Sequence, residues 1–270
     1  MKTKQLLPAI LLVILVGLFY SSCKKSDRES QNDITTAIDN AEAQNAYDGI
    51  WKQIIALIDS TSFLRSSCAD ISYSTTNPFV WPKTVTIDYG VVNCVGADGN
   101  NRRGQIAATF TKKYSDSLAV ITLHLNNYIH NDQLVEGTIF ITNKGRNAAG
   151  NYNYNYKVHN GIITTSIGKI FWAADQNREW IIGKSTINYS LDDIYNVTGA
   201  SSGISQNGNS FTTVINTPLY IEPSCAFTSM GALTVYPNNY SKITVDFGNG
   251  TCDNVATAII NKKATEILLL

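Results

Sequence analysis

Residues 151–158 read Asn-Tyr-Asn-Tyr-Asn-Tyr-Lys-Val, and this strict alternation decides the class of fold. In a β-strand successive side chains point to opposite faces, so the three tyrosines and Val158 share one face. The asparagines and the lysine share the other face. A strand of this kind covers a core with one face and meets solvent with the other. The stretch therefore predicts a half-buried antiparallel strand.

Segments with the same period recur on both sides of this stretch. Runs rich in β-branched and aromatic residues occupy positions 84–87, 118–125, 137–141 and 211–215. Turn-forming dipeptides such as Asn207-Gly208 separate the runs. Their spacing indicates roughly twelve to fourteen strands. We therefore expect a mainly β fold of antiparallel sheets, arranged either as a sandwich or as one large curled sheet.

A segment near the N-terminus has a helical period instead. Trp51, Ile54, Ile55 and Ile58 recur at the spacing of one helix face, and several alanines precede them. This pattern predicts a helical segment within residues 33–60, with its apolar stripe packed against a sheet.

The N-terminus has the features of a bacterial lipoprotein signal peptide. Two lysines precede an apolar run at residues 6–19, which is shorter than the ~20 residues that a membrane-spanning helix needs. The Ser-Ser-Cys stretch that ends at Cys23 resembles a lipobox, although Tyr20 stands where an aliphatic residue is usual. The resemblance implies removal of residues 1–22 and acylation of Cys23, which makes membrane lipid the first expected partner.

The remaining layout follows from the position of this anchor. Residues 23–32 are almost wholly polar after the cysteine and are expected to form a flexible tether. Residues 61–270 are expected to form an all-β domain. We expect the protein in the cell envelope, anchored in the outer membrane on its periplasmic or its surface face.

The two ends of the β region resemble each other. Residues 83–90 read KTVTIDYG and residues 241–248 read SKITVDFG. In each copy one cysteine follows the aspartate at the same distance, and an earlier cysteine lies about as far upstream in both. We infer an internal duplication, with related units near residues 66–113 and 223–264.

The four cysteines of these units are expected to form disulfide bonds, since they lie outside the cytoplasm in matched pairs. Four cysteines allow three pairings. The duplication favours Cys68–Cys94 and Cys225–Cys252, because a repeated unit should repeat its cross-link. A zinc site is the alternative, but the short Cys-x-x-Cys spacing is missing and no histidine lies close to a cysteine. We expect neither a metal nor another cofactor.

The alternating stretch also contains the first candidates for ligand binding. Tyr152, Tyr154 and Tyr156 would form an aromatic platform for a sugar or another flat ligand if their face were exposed. The alternative is that the three rings cover the core and their hydroxyl groups reach its rim.

A second candidate is a loop that distinguishes the two copies. The first copy carries the longer connection, residues 95–104, with Asp98, Arg102 and Arg103 as its charged members. Loops on rigid sheets often carry binding residues. The alternative is a solvated hairpin whose arginine side chains cover neighbouring strands.

A set of short motifs runs along the chain in a fixed order. The Asp-Tyr-Gly and Asp-Phe-Gly stretches at Asp88 and Asp246 precede cysteines, and Arg178-Glu179-Trp180 and Val197-Thr198-Gly199 lie between them. In this order the motifs resemble a family of uncharacterised envelope lipoproteins from Bacteroidota. The resemblance implies an envelope lipoprotein and supplies no activity, substrate or catalytic residue.

Motifs of the common catalytic classes are absent from the sequence, which has no Gly-x-Ser-x-Gly, His-Glu-x-x-His or phosphate loop. Lysine plus arginine and aspartate plus glutamate both total 21, without the basic cluster that nucleic acid requires. We therefore expect no catalytic residue and no nucleic-acid partner. The leading hypothesis is a non-enzymatic binding or structural module that engages a glycan or an envelope protein.

The main alternative is a secreted hydrolase acting on carbohydrate. Such an enzyme needs two carboxyl groups facing each other across a cleft. The candidates are Asp175, Glu179, Asp192 and Asp193. A third hypothesis is a structural subunit whose exposed edge strand accepts a strand from a partner.

Overall fold

The computed structural model describes the backbone of residues 25–58, 68–77, 79–96, 98–186 and 189–269, with side chains from residue 34 onward. It contains one long helix, α1, Lys25–Ile58, and a 3-10 turn at Ser190–Asp192. The strands are β1 Asp70–Tyr73, β2 Lys83–Asp88, β3 Cys94–Val95, β4 Asn101–Phe110, β5 Val120–His130, β6 Gln133–Arg146, β7 Tyr152–Thr164, β8 Lys169–Ile182, β9 Ile194–Ile204, β10 Ser210–Ile221, β11 Met230–Pro237, β12 Ile243–Asn249, β13 Val255–Ile260 and β14 Lys263–Leu268.

All the strands belong to one antiparallel sheet of 14 strands. Their order in the sheet follows their order in the chain from β1 to β14, except that β3 pairs only with β4. Each strand therefore turns back on the one before it, as the turn-forming dipeptides indicate. The predicted mainly β class is confirmed. Of the two arrangements left open, the protein has the large single sheet.

Helix α1 lies inside the curve of this sheet. Every residue from Asp39 to Leu57 is buried, and α1 contacts β8 and each of β10 to β13. On another side Gln133 of β6 donates a hydrogen bond to Glu42. Since a flat sheet can cover only one face of a helix, the sheet must curl around α1. The prediction of a single apolar stripe against a sheet therefore understates how much of the helix is enclosed.

Helix α1 also begins earlier than the sequence suggests. It starts at Lys25, so the backbone of residues 25–32 is helical rather than part of a flexible tether over residues 23–32. Lysine, arginine, glutamate and glutamine are good helix formers, and extending a helix costs less than starting one. Of the segment predicted as helical, residues 33–58 are in α1, and residues 59–60 lie outside the described residues.

Irregular positions in the strands help the sheet to curve around the helix. Register shifts interrupt the pairing of β6 with β7 and of β7 with β8, and such bulges bend and twist a strand. At these bulges a Cβ on Gly161 would lie 2.5 Å from the Tyr47 hydroxyl. The missing side chain lets Tyr47 stack on Trp172 at 5.1 Å and donate a hydrogen bond to the Glu136 carbonyl at 2.6 Å.

Polar residues of α1 find partners on the inward face of β8. Buried polar groups without partners cost about 2–7 kcal/mol each, so these pairs hold the helix at one position along the sheet. The helix residues recur every four positions, and their partners follow one another along the strand. They pair as Asn40 with Trp172, Gln44 with Gln176 and Asp48 with Arg178.

Both predicted disulfides are present. The Cα atoms of Cys68 and Cys94 are 5.6 Å apart, and those of Cys225 and Cys252 are 5.7 Å apart. In each unit the first cysteine precedes a two-strand hairpin and the second follows it, with β1 and β2 matching β11 and β12. Since these sulfur atoms bond to each other, the zinc alternative is wrong. The duplication itself stays a prediction.

Equivalent aspartates close equivalent turns in the two units. Asp88 Oδ1 accepts a hydrogen bond from the Gly90 amide at 2.8 Å, and Asp246 Oδ1 accepts one from the Gly248 amide at 2.9 Å. Both glycines have positive φ angles, 75° and 89°, which a side chain would make costly. The shared sequence around the two aspartates thus encodes a turn.

Candidate binding cleft

One end of the sheet forms a cleft with the C-terminal turn of α1. The connections that follow β4, β6 and β8 and the one that precedes β2 meet at this end, because neighbouring strands are antiparallel. Helix α1 reaches the same end with Ile55, Leu57 and Ile58. The cleft between them has a volume of about 470 Å³. Small-molecule sites usually have volumes of ~300–1,000 Å³.

We call this site the aromatic cleft, because aromatic residues are the largest group in its lining. Its floor is buried, as shown by Tyr154 and Tyr195, each 1% exposed, whereas Tyr73 at its mouth is 54% exposed. Ile55, Leu57 and Val85 add aliphatic surface. The aromatic residues of the lining are Tyr73, Trp81, Phe110, Tyr114, Tyr152, Tyr154, Trp180 and Tyr195.

The rings of the floor stack on one another. Such contacts each stabilise a structure by roughly 0.5–1.5 kcal/mol beyond the area that they bury. The stack joins residues from four separate parts of the chain, so each ring limits the movement of the next. In order it contains Tyr114 and Tyr154 at 4.5 Å, then Tyr152 at 6.3 Å, Trp180 at 6.3 Å and Tyr195 at 6.0 Å.

Three contacts behind the floor fix the last rings of this stack. Trp180 donates its indole hydrogen to Asp193 Oδ1 at 3.0 Å, and the Tyr195 hydroxyl donates to Asp193 Oδ2 at 3.3 Å. Trp51 of α1 packs edge-on against Tyr195 at 5.3 Å. The helix and a buried carboxylate thus hold the floor in place, so the cleft is preformed.

Cationic side chains surround the mouth of the cleft. Lys83 Nζ lies 5.1 Å from the ring centre of Trp81, and the Arg146 guanidinium lies 4.0 Å from that of Tyr152. Among the described residues, no aspartate or glutamate lines the cleft and none of its cations forms an ion pair. The described side chains of the mouth therefore carry only positive charge. The four cations are Lys83, Lys113, Arg146 and Lys184.

The predicted tyrosine candidates lie mainly in the core. Tyr154 and Tyr156 are 1% and 0% exposed, and burial raises the pKa of Tyr156. The Tyr156 hydroxyl donates to the Tyr47 carbonyl at 2.7 Å. This is the core-covering arrangement and not an exposed platform for a flat ligand. Tyr152 and Tyr154 nevertheless line the aromatic cleft, where they form part of the floor.

The predicted binding loop has a different role for each arginine. Arg102 is 1% exposed and donates two hydrogen bonds to Asp98, at 2.8 and 2.5 Å. Burial opposes ionisation of Asp98, but the hydrogen bonds and charge of Arg102 outweigh it and lower the pKa of that carboxyl. The prediction of Arg102 as a ligand-binding residue is wrong, because the core encloses its side chain. Arg103 is partly exposed and pairs with Asp132 at 2.8 Å, at the other end of β4 from the cleft.

The carboxylates proposed for a hydrolase do not converge. Asp175 and Glu179 lie on the outward face of β8, where four residues of strand separate them by about 13 Å. Glycosidase carboxyl groups lie ~5–9.5 Å apart. Asp192 accepts a hydrogen bond from Thr186 near the surface, whereas Asp193 points inward beneath the cleft floor. Each carboxylate therefore has its own local partners.

Several other predictions concern residues or partners beyond the cleft. The signal peptide and Cys23 lie outside the described residues. Within the described ranges, no helix has both the length and the apolar character needed to cross a membrane. Strands β1 and β14 form the two edges of the sheet. The hypothesis that an edge strand accepts a strand from a partner stays a prediction.

Comparisons with protein-family models, with curated proteins and with solved structures found no match. The case for a function therefore depends on the aromatic cleft and on the features of the sequence. Of the residues that line the cleft, only Tyr152 and Tyr154 are predicted from the sequence as ligand-binding residues. The cations of the mouth carry no local signal, because they come from separate connections that only the folded sheet brings together.

Proposed function

We propose that this chain is a lipid-anchored protein of the cell envelope whose aromatic cleft binds a small ligand without transforming it. The observation that carries the proposal is the cleft itself, a preformed apolar floor beneath a few polar groups. Sites with this construction are typical of small-molecule binding. The buried ring stack and Asp193 keep the floor ordered. Binding therefore loses little free energy to the ordering of these side chains.

The cellular location is supported by two independent features. The sequence that ends at Cys23 resembles a lipobox, and an acylated cysteine with two or more chains anchors a protein stably. The two cross-links, Cys68–Cys94 and Cys225–Cys252, are of a kind that persists outside the reducing cytoplasm. Together they favour export followed by attachment to the outer membrane.

The test of ligand binding uses Nile red, a neutral apolar dye whose fluorescence rises in an apolar site. The full chain with Cys23→Ser is used, so that no attached acyl chain competes. We expect one dye molecule per chain. Ser115→Phe should abolish binding, because exposed Ser115 lines the mouth and a ring there obstructs it. Ser117→Phe, in the same connection but outside the lining, is the matched control.

The result that overturns the binding proposal is dye binding that is absent or that Ser115→Phe leaves unchanged. Thermal unfolding of both variants shows that each is folded. Mass spectrometry of the mature wild-type protein tests the anchor separately. The expected species begins at Cys23 and carries the mass of a diacylglyceryl group, whereas an unmodified Cys23 contradicts the proposed attachment.

A further inference from the structure

The aromatic cleft has two chemically distinct parts. Its floor consists of rings and of aliphatic side chains such as Ile55, Leu57 and Val85. Its mouth has cations without an opposing carboxylate among the described lining residues. A ligand that satisfies both parts has an apolar body and one negatively charged end. Such an end accepts charge-assisted hydrogen bonds from lysine and arginine, which are stronger than neutral ones.

The stacking of the floor indicates the shape of the apolar body. A sugar, or any ligand that is recognised by stacking, binds an aromatic side chain through an open ring face. Here Tyr152 lies between Tyr154 and Trp180 in the stack and also lies under Arg146. Trp180 is stacked on its other neighbour, Tyr195. The mutual stacking of the floor rings leaves less open ring face than separate rings would, and Ile55, Leu57 and Val85 add methyl groups. This favours a flexible hydrocarbon chain over a ligand that must stack on an open ring face.

The size of the cleft limits the number of chains. Its volume of about 470 Å³ lies in the lower half of the range for ligand sites, ~300–1,000 Å³. One chain can fill it with its charged end left at the mouth. A lipid with two or three chains would leave apolar chain in water.

We propose that the aromatic cleft binds a single-chain anionic amphiphile, with the hydrocarbon chain on the ring floor and the carboxylate or phosphate among Lys83, Lys113, Arg146 and Lys184. This inference rests on the proposed function, because it names the ligand class of the same cleft. Free fatty acids and single-chain phospholipids share this chemistry. Positive charge at the mouth selects against neutral and cationic amphiphiles of equal length.

The test measures displacement of Nile red from the full chain carrying Cys23→Ser. Four amphiphiles with the same twelve-carbon chain are compared below their micelle-forming concentrations: dodecanoate, dodecyl phosphate, dodecanol and dodecyltrimethylammonium. We expect both anions to bind at least about tenfold more tightly than the cation. The affinity of the neutral dodecanol should lie between those of the anions and that of the cation. The better of the two anions shows whether the mouth favours the carboxylate of a fatty acid or the phosphate of a phospholipid.

Charge variants locate the selectivity at the mouth. Lys113→Ala and Arg146→Ala remove exposed cations, so each should weaken dodecanoate binding by about two- to fivefold and leave dodecanol binding unchanged. Lys169→Ala removes an exposed cation from the opposite end of β8 and should change neither. Higher salt concentration should weaken binding of the anions only.

The outcomes separate this inference from the proposal on which it rests. Equal affinity for all four amphiphiles, with Nile red still bound in the cleft, overturns the anionic preference and leaves a small-molecule site. Equal loss in Lys113→Ala and Lys169→Ala also overturns it, since the preference would then reflect net charge. Failure of Nile red to bind removes the site itself.

Discussion

Arg178 Nη2 lies 2.5 Å from Asp48 Oδ1, and neither side chain is more than 3% exposed. This ion pair joins α1 to β8 in the interior. Gln44 donates to both oxygens of Asp48 at 2.8 Å, and the Arg178 guanidinium lies 3.8 Å from the ring centre of Tyr156. Hydrogen bonds thus replace the lost hydration of the Asp48 carboxylate, and the ring of Tyr156 partly replaces that of Arg178. The same helix position sets Trp51 behind the cleft floor, so the pair links the core to the candidate site.

Breaking this pair should be costly. Asp48→Asn leaves Arg178 buried without a carboxylate, and we expect a loss of about 3–5 kcal/mol in the free energy of unfolding, measured by urea denaturation. The matched control is Asp175→Asn, which breaks the exposed pair with Lys157 and should cost ~0–1 kcal/mol. A double variant, Asp48→Leu with Arg178→Met, should recover most of the loss. Equal costs for the two single variants would show that the buried pair does not position α1.

The close approach of α1 to the sheet can be tested at Gly161. A Cβ there would lie 2.5 Å from the Tyr47 hydroxyl and 2.6 Å from the Trp172 carbonyl. Gly161→Ala should therefore lower the free energy of unfolding by about 1–3 kcal/mol through overpacking. At Gly99 no atom of the described residues lies within 4 Å of the added Cβ, but φ is +77°. Gly99→Ala should therefore show only the ~1 kcal/mol cost of that backbone conformation. A Gly161 variant as stable as wild type would contradict the packing described for Tyr47.

Each disulfide should contribute separately to stability. Cys68→Ala with Cys94→Ala opens a loop with a sequence separation of 26 residues, which the chain-entropy model values at roughly 3–4 kcal/mol. The pair at Cys225 and Cys252 closes a similar loop, with a separation of 27, and we expect a similar loss. Urea unfolding of both double variants measures this. Alkylation of any of the four sulfurs in unreduced, folded protein would argue against the cross-links.

His130 should make the protein less stable in acid. Burial lowers the pKa of His130 to about 3, whereas an unfolded histidine titrates near ~6.5. Between these values the unfolded chain binds more protons, so this residue's contribution falls as the pH falls. Within the described part of the chain neither ring nitrogen has a hydrogen-bond partner, so His130→Leu loses no such bond. Below pH 6.5 the free energy of unfolding of His130→Leu should rise relative to that of wild type by at most about 1.4 kcal/mol per pH unit.

The measurement compares unfolding free energies of wild type and His130→Leu at several pH values from 7 to 4. Burial raises the pKa of Asp39 to about 6, which stabilises the folded state as the pH falls over part of this range. That effect is present in both proteins and cancels in their difference. His124→Leu, on the outward face of the same strand, is the matched substitution. A difference between wild type and His130→Leu that does not vary with pH would contradict the burial of a neutral imidazole.

Local signals explain how much of the fold the sequence predicts. The alternation at residues 151–158 and the turn dipeptides depend only on neighbouring residues, so they identify strands and hairpins. The matched spacing of the cysteines identifies their pairing because the two copies can be compared directly in the sequence. The central place of α1 is not local. Asp48 and Lys52 suggest a solvated helix face, yet both are buried, and the partner Arg178 lies 130 residues further along the chain.

The cleft could be predicted only in small part. Tyr152 and Tyr154 attract attention because they alternate in one strand. Trp180, Lys83 and Arg146 come from different strands, and no pattern around any of them indicates a ligand contact. Their common position follows from the curl of the sheet and from the level at which α1 ends. Both depend on packing between residues that are distant in sequence.

The most direct test of the account is a crystal structure of the protein with dodecanoate brominated at its terminal carbon. Anomalous scattering then locates the end of the chain without ambiguity. We expect the bromine on the ring floor beside Tyr154 and Trp180, and the carboxylate among Lys83, Lys113, Arg146 and Lys184. Bromine outside the aromatic cleft, or a carboxylate buried on the floor with the bromine at the mouth, would contradict it.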